Sequence, residues 1–339
     1  MSYLNNLYLN VPTIVNILFF IVGLAILIKG SDLFIDSAIF FAKKAKVSET
    51  IIGLTLVSMG TSLPELATNI NSAIKGRTAV AIGNIAGSNI TNIALIVGVS
   101  ALILGNIYIN KKILYRDTPI MILTTIILLI FSYFFDKNVF AINRVESIIL
   151  VILMGIYIWY LLRFNKEQIE QSNEQIKIKS IPIAILFFIL GLAGVVFGSD
   201  VMVDNILIVA KRFHISDGVI GATIVAIGTS LPELAVSFIA IIKKKHDLSI
   251  GNVVGSNIFN ILFIIGITGI IRDVAIINAE GTTDNLMLFF TLPVTLGIAI
   301  LFFLFSLFGK KIGRIKGLIF LLLFIGFIIV NYMSGIFLN

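Results

Sequence analysis

Two glutamates, Glu65 and Glu233, each stand about 17 residues into an apolar stretch. A carboxylate at that depth of a hydrophobic segment costs at least ~2.5–3.5 kcal/mol unless it is compensated, so it marks a function by default. Each acid sits in the same eight-residue context. Gly60-Thr61-Ser62-Leu63-Pro64-Glu65-Leu66-Ala67 recurs unchanged as Gly228-Thr229-Ser230-Leu231-Pro232-Glu233-Leu234-Ala235. Proline removes one amide donor and pushes away the carbonyl four residues back, and glycine lets the backbone leave the helix. A helix broken in this way frees carbonyl oxygens, which is tolerated at membrane depth only where they face a cavity. Free carbonyls, the hydroxyls of Thr61, Ser62, Thr229 and Ser230, and a carboxylate are hard oxygen ligands suited to Na+ and Ca2+.

A second repeated block supplies neutral oxygens. Gly83-x-x-x-Gly87 and Gly251-x-x-x-Gly255 are small-residue faces that let helices approach closely. Just beyond them Ser88 and Asn92, like Ser256 and Asn260, are four residues apart and so share one helix face. Two carboxylates carry −2, which one Ca2+ or two Na+ neutralise, while a third Na+ leaves +1. One cage thus holds either species but not both fully loaded, which is a physical basis for exchange. No Arg or Lys lies in these blocks to hold an anion.

The elements that position these residues must be membrane helices. Of 339 residues 58% are apolar and 13% charged, with a mean hydropathy of +1.07. Soluble domains carry roughly 25% charged residues, so a water-soluble enzyme or nucleic-acid binder is excluded. The absence of cysteine removes disulfides and thiolate ligands, and with only His214 and His246 there is no multi-histidine metal site. Without a nucleophile–base pair beside the acids, an enzyme is not expected.

At about 20 apolar residues per crossing, the polar breaks delimit ten spans: 12–42, 48–74, 79–104, 118–135, 145–162, 181–210, 216–242, 248–271, 286–308 and 315–337. Residues 1–28 contain no Lys or Arg, so no cleavable signal peptide is expected. The loops after the odd-numbered spans hold 17 of the 25 basic residues, against seven in the alternate loops. That bias predicts both termini outside and the hydrophilic linker 164–180 in the cytoplasm, so the net charge of +7 reads as topology. Trp159 and Tyr160 are interface anchors.

The chain is also a duplication. Residues 30–103 and 198–271 align without a gap at an offset of 168, with 33 identities in 74 positions. Pro12, Pro64 and Pro119 pair with Pro182, Pro232 and Pro293. Five spans per half is an odd number, so the second half enters the membrane in the opposite sense. The expected fold is an all-α polytopic membrane protein of ten transmembrane helices, two inverted-topology repeats of five (1–163 and 181–339), with helices two and seven broken. Such repeats place their substrate site near the midplane, at the interface of the copies. Asp32, Asp36, Asp200 and Asp204 read as hydrogen-bonding groups at helix interfaces, with ion entry as a second role.

The paired GTSLPE segments, each followed by GN-x-x-GSNI-x-N, resemble the α-repeats of the sodium/calcium exchanger family within the cation/calcium antiporter superfamily. The resemblance covers nearly the whole chain, as a compact prokaryotic member whose linker is too short for a regulatory loop. It implies exchange of Na+ for Ca2+ by alternating access, three for one, with spans one and six sliding over a stationary core and the single chain as the working unit. It implies Glu65 and Glu233 as central ligands, oxygens from Thr61, Ser62, Thr229 and Ser230, completion by Ser88, Ser256, Asn92 and Asn260, and the carbonyls of Ser58 and Ala226. No cofactor is implied beyond the transported Na+ and Ca2+, and no partner beyond the lipid bilayer. Potassium-dependent members carry Asp at the place of Asn260, and the GNxxE-type motif of the cation/proton branch is missing. The same fold coupled to H+, or to Na+ plus K+, is the alternative, and a Ca2+-permeable channel a more distant one.

Overall fold

The computed structural model describes residues 11–76, 78–134, 140–164, 178, 180–212, 228–276 and 284–337. Its helices are α1 (Thr13–Ala45), α2 (Glu49–Thr61), α3 (Leu63–Ile74), α4 (Val80–Leu104), α5 (Ile113–Tyr133), α6 (Arg144–Arg163), α7 (Ile181–Arg212), α8 (Leu231–Ile242), α9 (His246–Ile271), α10 (Met287–Leu307) and α11 (Arg314–Phe337). Eight of them are long and apolar enough to cross a bilayer, and α2 with α3 makes a ninth as one bent span. The remaining helix, α8, is shorter, and residues 213–227 before it lie outside the described residues. The chain is therefore a multi-pass helical membrane protein. Its outward apolar side chains, such as Ile152, Ile156 and Trp159 on α6 and Leu186, Ile189 and Leu190 on α7, suit lipid contact.

Burial differs among the helices, and the apolar side chains form separate clusters. In their most apolar stretches, 67% of α4 and 78% of α9 is buried inside the protein, against 22% for each of α1 and α7. The main core joins α4, α5, α6, α9, α10 and α11 through residues such as Ile85, Ile93, Met154, Phe259, Leu288 and Phe320. A separate cluster, including Leu27, Phe34, Ile35 and Val195, belongs to α1, α7 and the helices they touch.

Glycines set the contact between the two long helices. A methyl group on Gly23 would meet the Gly198 carbonyl oxygen at 2.9 Å, and one on Gly30 would meet that of Gly191 at 2.9 Å. The lower number pairs with the higher, so α1 and α7 run antiparallel, with backbone against backbone.

Two short antiparallel strand pairs tie the halves together. β1 (Ile107–Tyr108) pairs with β4 (Lys311–Ile312), and β2 (Ala141–Ile142) with β3 (Val274–Ala275). Several spans also contain a π-helical turn that the sequence reading did not foresee, among them Gly53–Val57, Thr91–Val97 and Asn260–Ile265. Such turns are rare and frequent at functional sites.

Candidate functional site

The expected break in the second span is present. α2 and α3 meet at 47°, and Ser62 at the joint has φ −85° and ψ 9°. Pro64 occupies the first turn of α3, where its missing N–H is harmless. Ser230 repeats that conformation, φ −92° and ψ 7°, just before α8, which also carries a proline, Pro232, in its first turn. Glu65 and Glu233 therefore both stand in the first turn of a helix that starts at a break within an apolar segment. Exposed amides and the helix dipole at such a terminus favour a negative charge.

Around the acids the two halves interlock. The Ser62 hydroxyl donates to Glu233 Oε1 at 2.8 Å and lies 3.2 Å from Ser256 Oγ. Thr61 Oγ1 donates to Asn252 Oδ1 at 3.2 Å, and Asn252 Nδ2 donates to Ser237 at 2.9 Å. Asn260 Nδ2 donates to Asn89 Oδ1 at 3.0 Å, and Asn89 Nδ2 to the Asn257 carbonyl at 3.3 Å. The chemical signature is what remains unused. Both carboxylate oxygens of Glu65, Oε2 of Glu233, Oδ1 of Asn260, the Ser230 hydroxyl and both polar atoms of Asn92 are buried without a hydrogen-bond partner. A buried acceptor left unsatisfied costs about 1–3 kcal/mol, more when charged. Acceptors predominate in this set, which is the complement of a cation rather than of a donor.

Ser88 is also buried, on α4 four residues before Asn92. Asn92 and Asn260 each stand at the start of a π-helical turn, where the helical ladder is locally widened. The Ser58 carbonyl accepts from the Ser62 amide at 3.1 Å, and the Thr61 hydroxyl oxygen lies 3.3 Å from it. Thr229 is half-buried and lines a cavity instead of joining the hydrogen-bonded group. Ala226 lies outside the described residues.

The small-residue face of α9 works as expected. A methyl group on Gly251 would meet the Thr50 carbonyl oxygen at 2.9 Å, and one on Gly255 the Leu54 Cα at 2.7 Å, so α9 lies directly on α2. On α4 the corresponding packing is not seen among the described residues. Gly83 meets only the tip of Met287, and nothing lies within 4 Å of Gly87. The segment equivalent to its partner, 221–226, falls outside the described residues.

Sequence reasoning gave no role to Asn252, Asn89 or the pair Asn69–Asn84, whose amides bond at 2.9 Å. Their signal was the 168-residue recurrence: Asn84 and Asn252 are equivalent, as are Asn69 and Ser237, and each pair clamps a half-helix to the next span. The aspartates of α1 are held by ion pairs, not by neutral hydrogen bonds alone. Lys243 Nζ lies 2.6 Å from Asp36 Oδ1 and 3.3 Å from Asp32 Oδ1. Lys243 is therefore more than a marker of topology.

Fold and site together are those of a membrane-embedded cation/calcium antiporter. The family model described as sodium/calcium exchanger protein matches residues 15–163 and 183–333, and the chain belongs to that family. It is 32% identical to the sodium/calcium exchanger MaX1 of Methanosarcina acetivorans, over 94% of this chain and 99% of that one. It is 30% identical to the inner membrane protein YrbG of Escherichia coli, over 74% and 78% of the two chains. Among solved structures it is similar to the sodium-calcium exchanger NCX_Mj soaked with 10 mM Na+ and zero Ca2+. The TM-score there is 0.77 at 31% identity, covering 93% of this chain and 98% of that one.

Proposed function

We propose that the chain exchanges Na+ for Ca2+ across the membrane by alternating access, three Na+ for one Ca2+, at a single site shared by its two halves. The observation that carries this is the buried set of unsatisfied oxygens contributed by both repeats around Glu65 and Glu233. One Ca2+ neutralises the two carboxylates, as two Na+ do, so loading with one ion opposes loading with the other. Ser62, Ser230, Thr61, Thr229, Ser88, Ser256, Asn92 and Asn260 supply neutral oxygens, with backbone carbonyls at Ser58 and Ala226.

The architecture of this reading is ten transmembrane helices in two inverted repeats, 1–163 and 181–339, joined by the cytoplasmic linker 164–180, with both termini outside. Its support is the offset of 168, the loop charge bias, and the reciprocal pairing of strands, each half giving one strand to each pair. The lightly buried α1–α7 pair is the element that slides over the densely packed α4 and α9. The single chain contains both acids and all the neutral ligands, so it works as a monomer and needs no cofactor.

The test is 45Ca2+ uptake into proteoliposomes loaded with Na+ and diluted into Na+-free buffer. Uptake that requires internal Na+ and is lost in Glu233→Gln supports the reading. Uptake that follows only an imposed pH gradient moves the coupling to H+, and uptake needing no counter-ion makes the protein a channel.

A further inference from the structure

The duplicated sequence makes one ion-pair cluster between the halves, and among the described residues its equivalent is not made. Lys243, at the end of α8, reaches α1 through Asp36 Oδ1 at 2.6 Å and Asp32 Oδ1 at 3.3 Å, and donates to the Asp32 carbonyl at 3.1 Å. At the offset of 168, Asp32 and Asp36 correspond to Asp200 and Asp204, and Lys243 corresponds to Lys75 at the end of α3. Lys75 is exposed and makes no ion pair among the described residues, and neither Asp200 nor Asp204 has a basic side chain as partner there.

The packing differs in the same sense. On the paired side Ser31, Phe34, Ile35, Thr61 and Val236 are fully buried, with the Phe34 ring against Gly60. On the unpaired side α7 keeps its contact with the turn before α8, where Ser199 donates to the Gly228 carbonyl at 3.3 Å, but stands away from α3. It leaves a cavity of about 170 Å³ lined by Thr68, Asp200, Val203, Asp204 and Thr229, which leads to the Ser230 break. Thr68 and Val236 are equivalent, as are Val203 and Ile35: one member of each pair is buried, the other opens to the cavity or the surface.

We propose that Lys243 with Asp32 and Asp36 is a latch that keeps the site closed on one side of the membrane, and that Lys75 with Asp200 and Asp204 is the matching latch of the opposite-facing state. As α1 and α7 slide, one lysine releases its two aspartates while the other captures the equivalent pair. This rests on the alternating-access reading, in which the Lys243 end is cytoplasmic and the Lys75 end external. A bidentate contact between half-exposed groups is weak enough to break on each cycle and strong enough to bias the two states.

The chain has no cysteine, so single reporters can read accessibility. Ile35→Cys marks the closed side and Val203→Cys the cavity, each probed with a membrane-impermeant maleimide in right-side-out and inside-out vesicles. In the parent, Val203→Cys is labelled from outside and Ile35→Cys is protected. Adding Lys243→Gln should raise labelling of Ile35→Cys from the cytoplasmic side about two- to fivefold and lower that of Val203→Cys. Adding Lys75→Gln should shift both the other way, and exchanging charges, Lys243→Asp with Asp36→Lys, should restore the parent pattern. Unchanged labelling in Lys243→Gln, or a shift in the same direction in both lysine variants, overturns the latch. So does failure of both the neutral and the charge-exchanged protein to fold, which would make the pair a structural staple. Labelling does not depend on flux. If it shifts as expected while Ca2+ uptake ignores Na+, the latch stands and the Na+/Ca2+ reading falls.

Discussion

The hydroxyl of Ser62 donates to Glu233 at 2.8 Å, joining the helix break of the first half to the acid of the second. The equivalent pair, Ser230 and Glu65, makes no such bond, and the Ser230 hydroxyl and both Glu65 oxygens are buried without partners. Two copies of one sequence thus stand in different states, one acid satisfied in part by the protein and the other without a hydrogen-bond partner.

Glu65→Gln and Glu233→Gln each remove half of the site's charge. Losing one partner of a buried charged assembly costs about 3–5 kcal/mol, so Ca2+ affinity should fall by roughly a hundredfold or more. The check is equilibrium 45Ca2+ binding to purified protein. Near-native affinity in either variant removes that acid from the site.

The hydrogen-bond asymmetry predicts unequal alanine variants in ion-free protein. Ser62→Ala deletes a bond to a charged acceptor, worth about 1.5–3 kcal/mol, whereas Ser230→Ala deletes a hydroxyl with no bond to lose. Thermal unfolding in detergent without Na+ or Ca2+ should show a lower melting temperature for Ser62→Ala and little change for Ser230→Ala. Equal losses would mean that the difference between the halves has no energetic weight.

Both polar atoms of Asn92 are buried and unsatisfied, the state expected of a residue that serves a ligand and not the fold. Asn92→Ala should leave the ion-free melting temperature unchanged or raise it, while reducing the stabilisation that added Na+ or Ca2+ provides. The measurement is melting temperature against ion concentration. A variant less stable without ions and equally responsive to them would count against a ligand role.

Close backbone contacts make Gly255 and Gly198 intolerant of added volume. A methyl group would meet the Leu54 Cα at 2.7 Å in the first case and the Leu27 amide nitrogen at 2.6 Å in the second. Forcing such packing apart costs typically about 1–3 kcal/mol. Gly155→Ala on α6, with nothing within 4 Å, should be tolerated. Yield and melting temperature of the three variants in detergent test this, and a Gly155→Ala protein as damaged as the others would contradict it.

Much of this was legible because the membrane simplifies the problem. Backbone groups in lipid must be satisfied internally, so long apolar runs can only be helices, and α1, α4, α7 and α9 fall where hydropathy puts them. The break at Ser62 was legible because glycine and proline act locally. The acids were legible because a carboxylate has so few reasons to stand in an apolar span, and the exact repeat of their context doubled the signal.

What the sequence could not decide is relative placement. Ser62, Glu233 and Ser256 come from three helices and meet only when the halves pack. That Asn252 holds Thr61, or that Gly255 lies against the Leu54 backbone, depends on which helices touch. Nor can a sequence with two similar halves say which of two equivalent ion pairs is made. The same residues at the same spacing allow either, and only the tertiary arrangement gives Lys243 its aspartates while Lys75 makes no ion pair among the described residues.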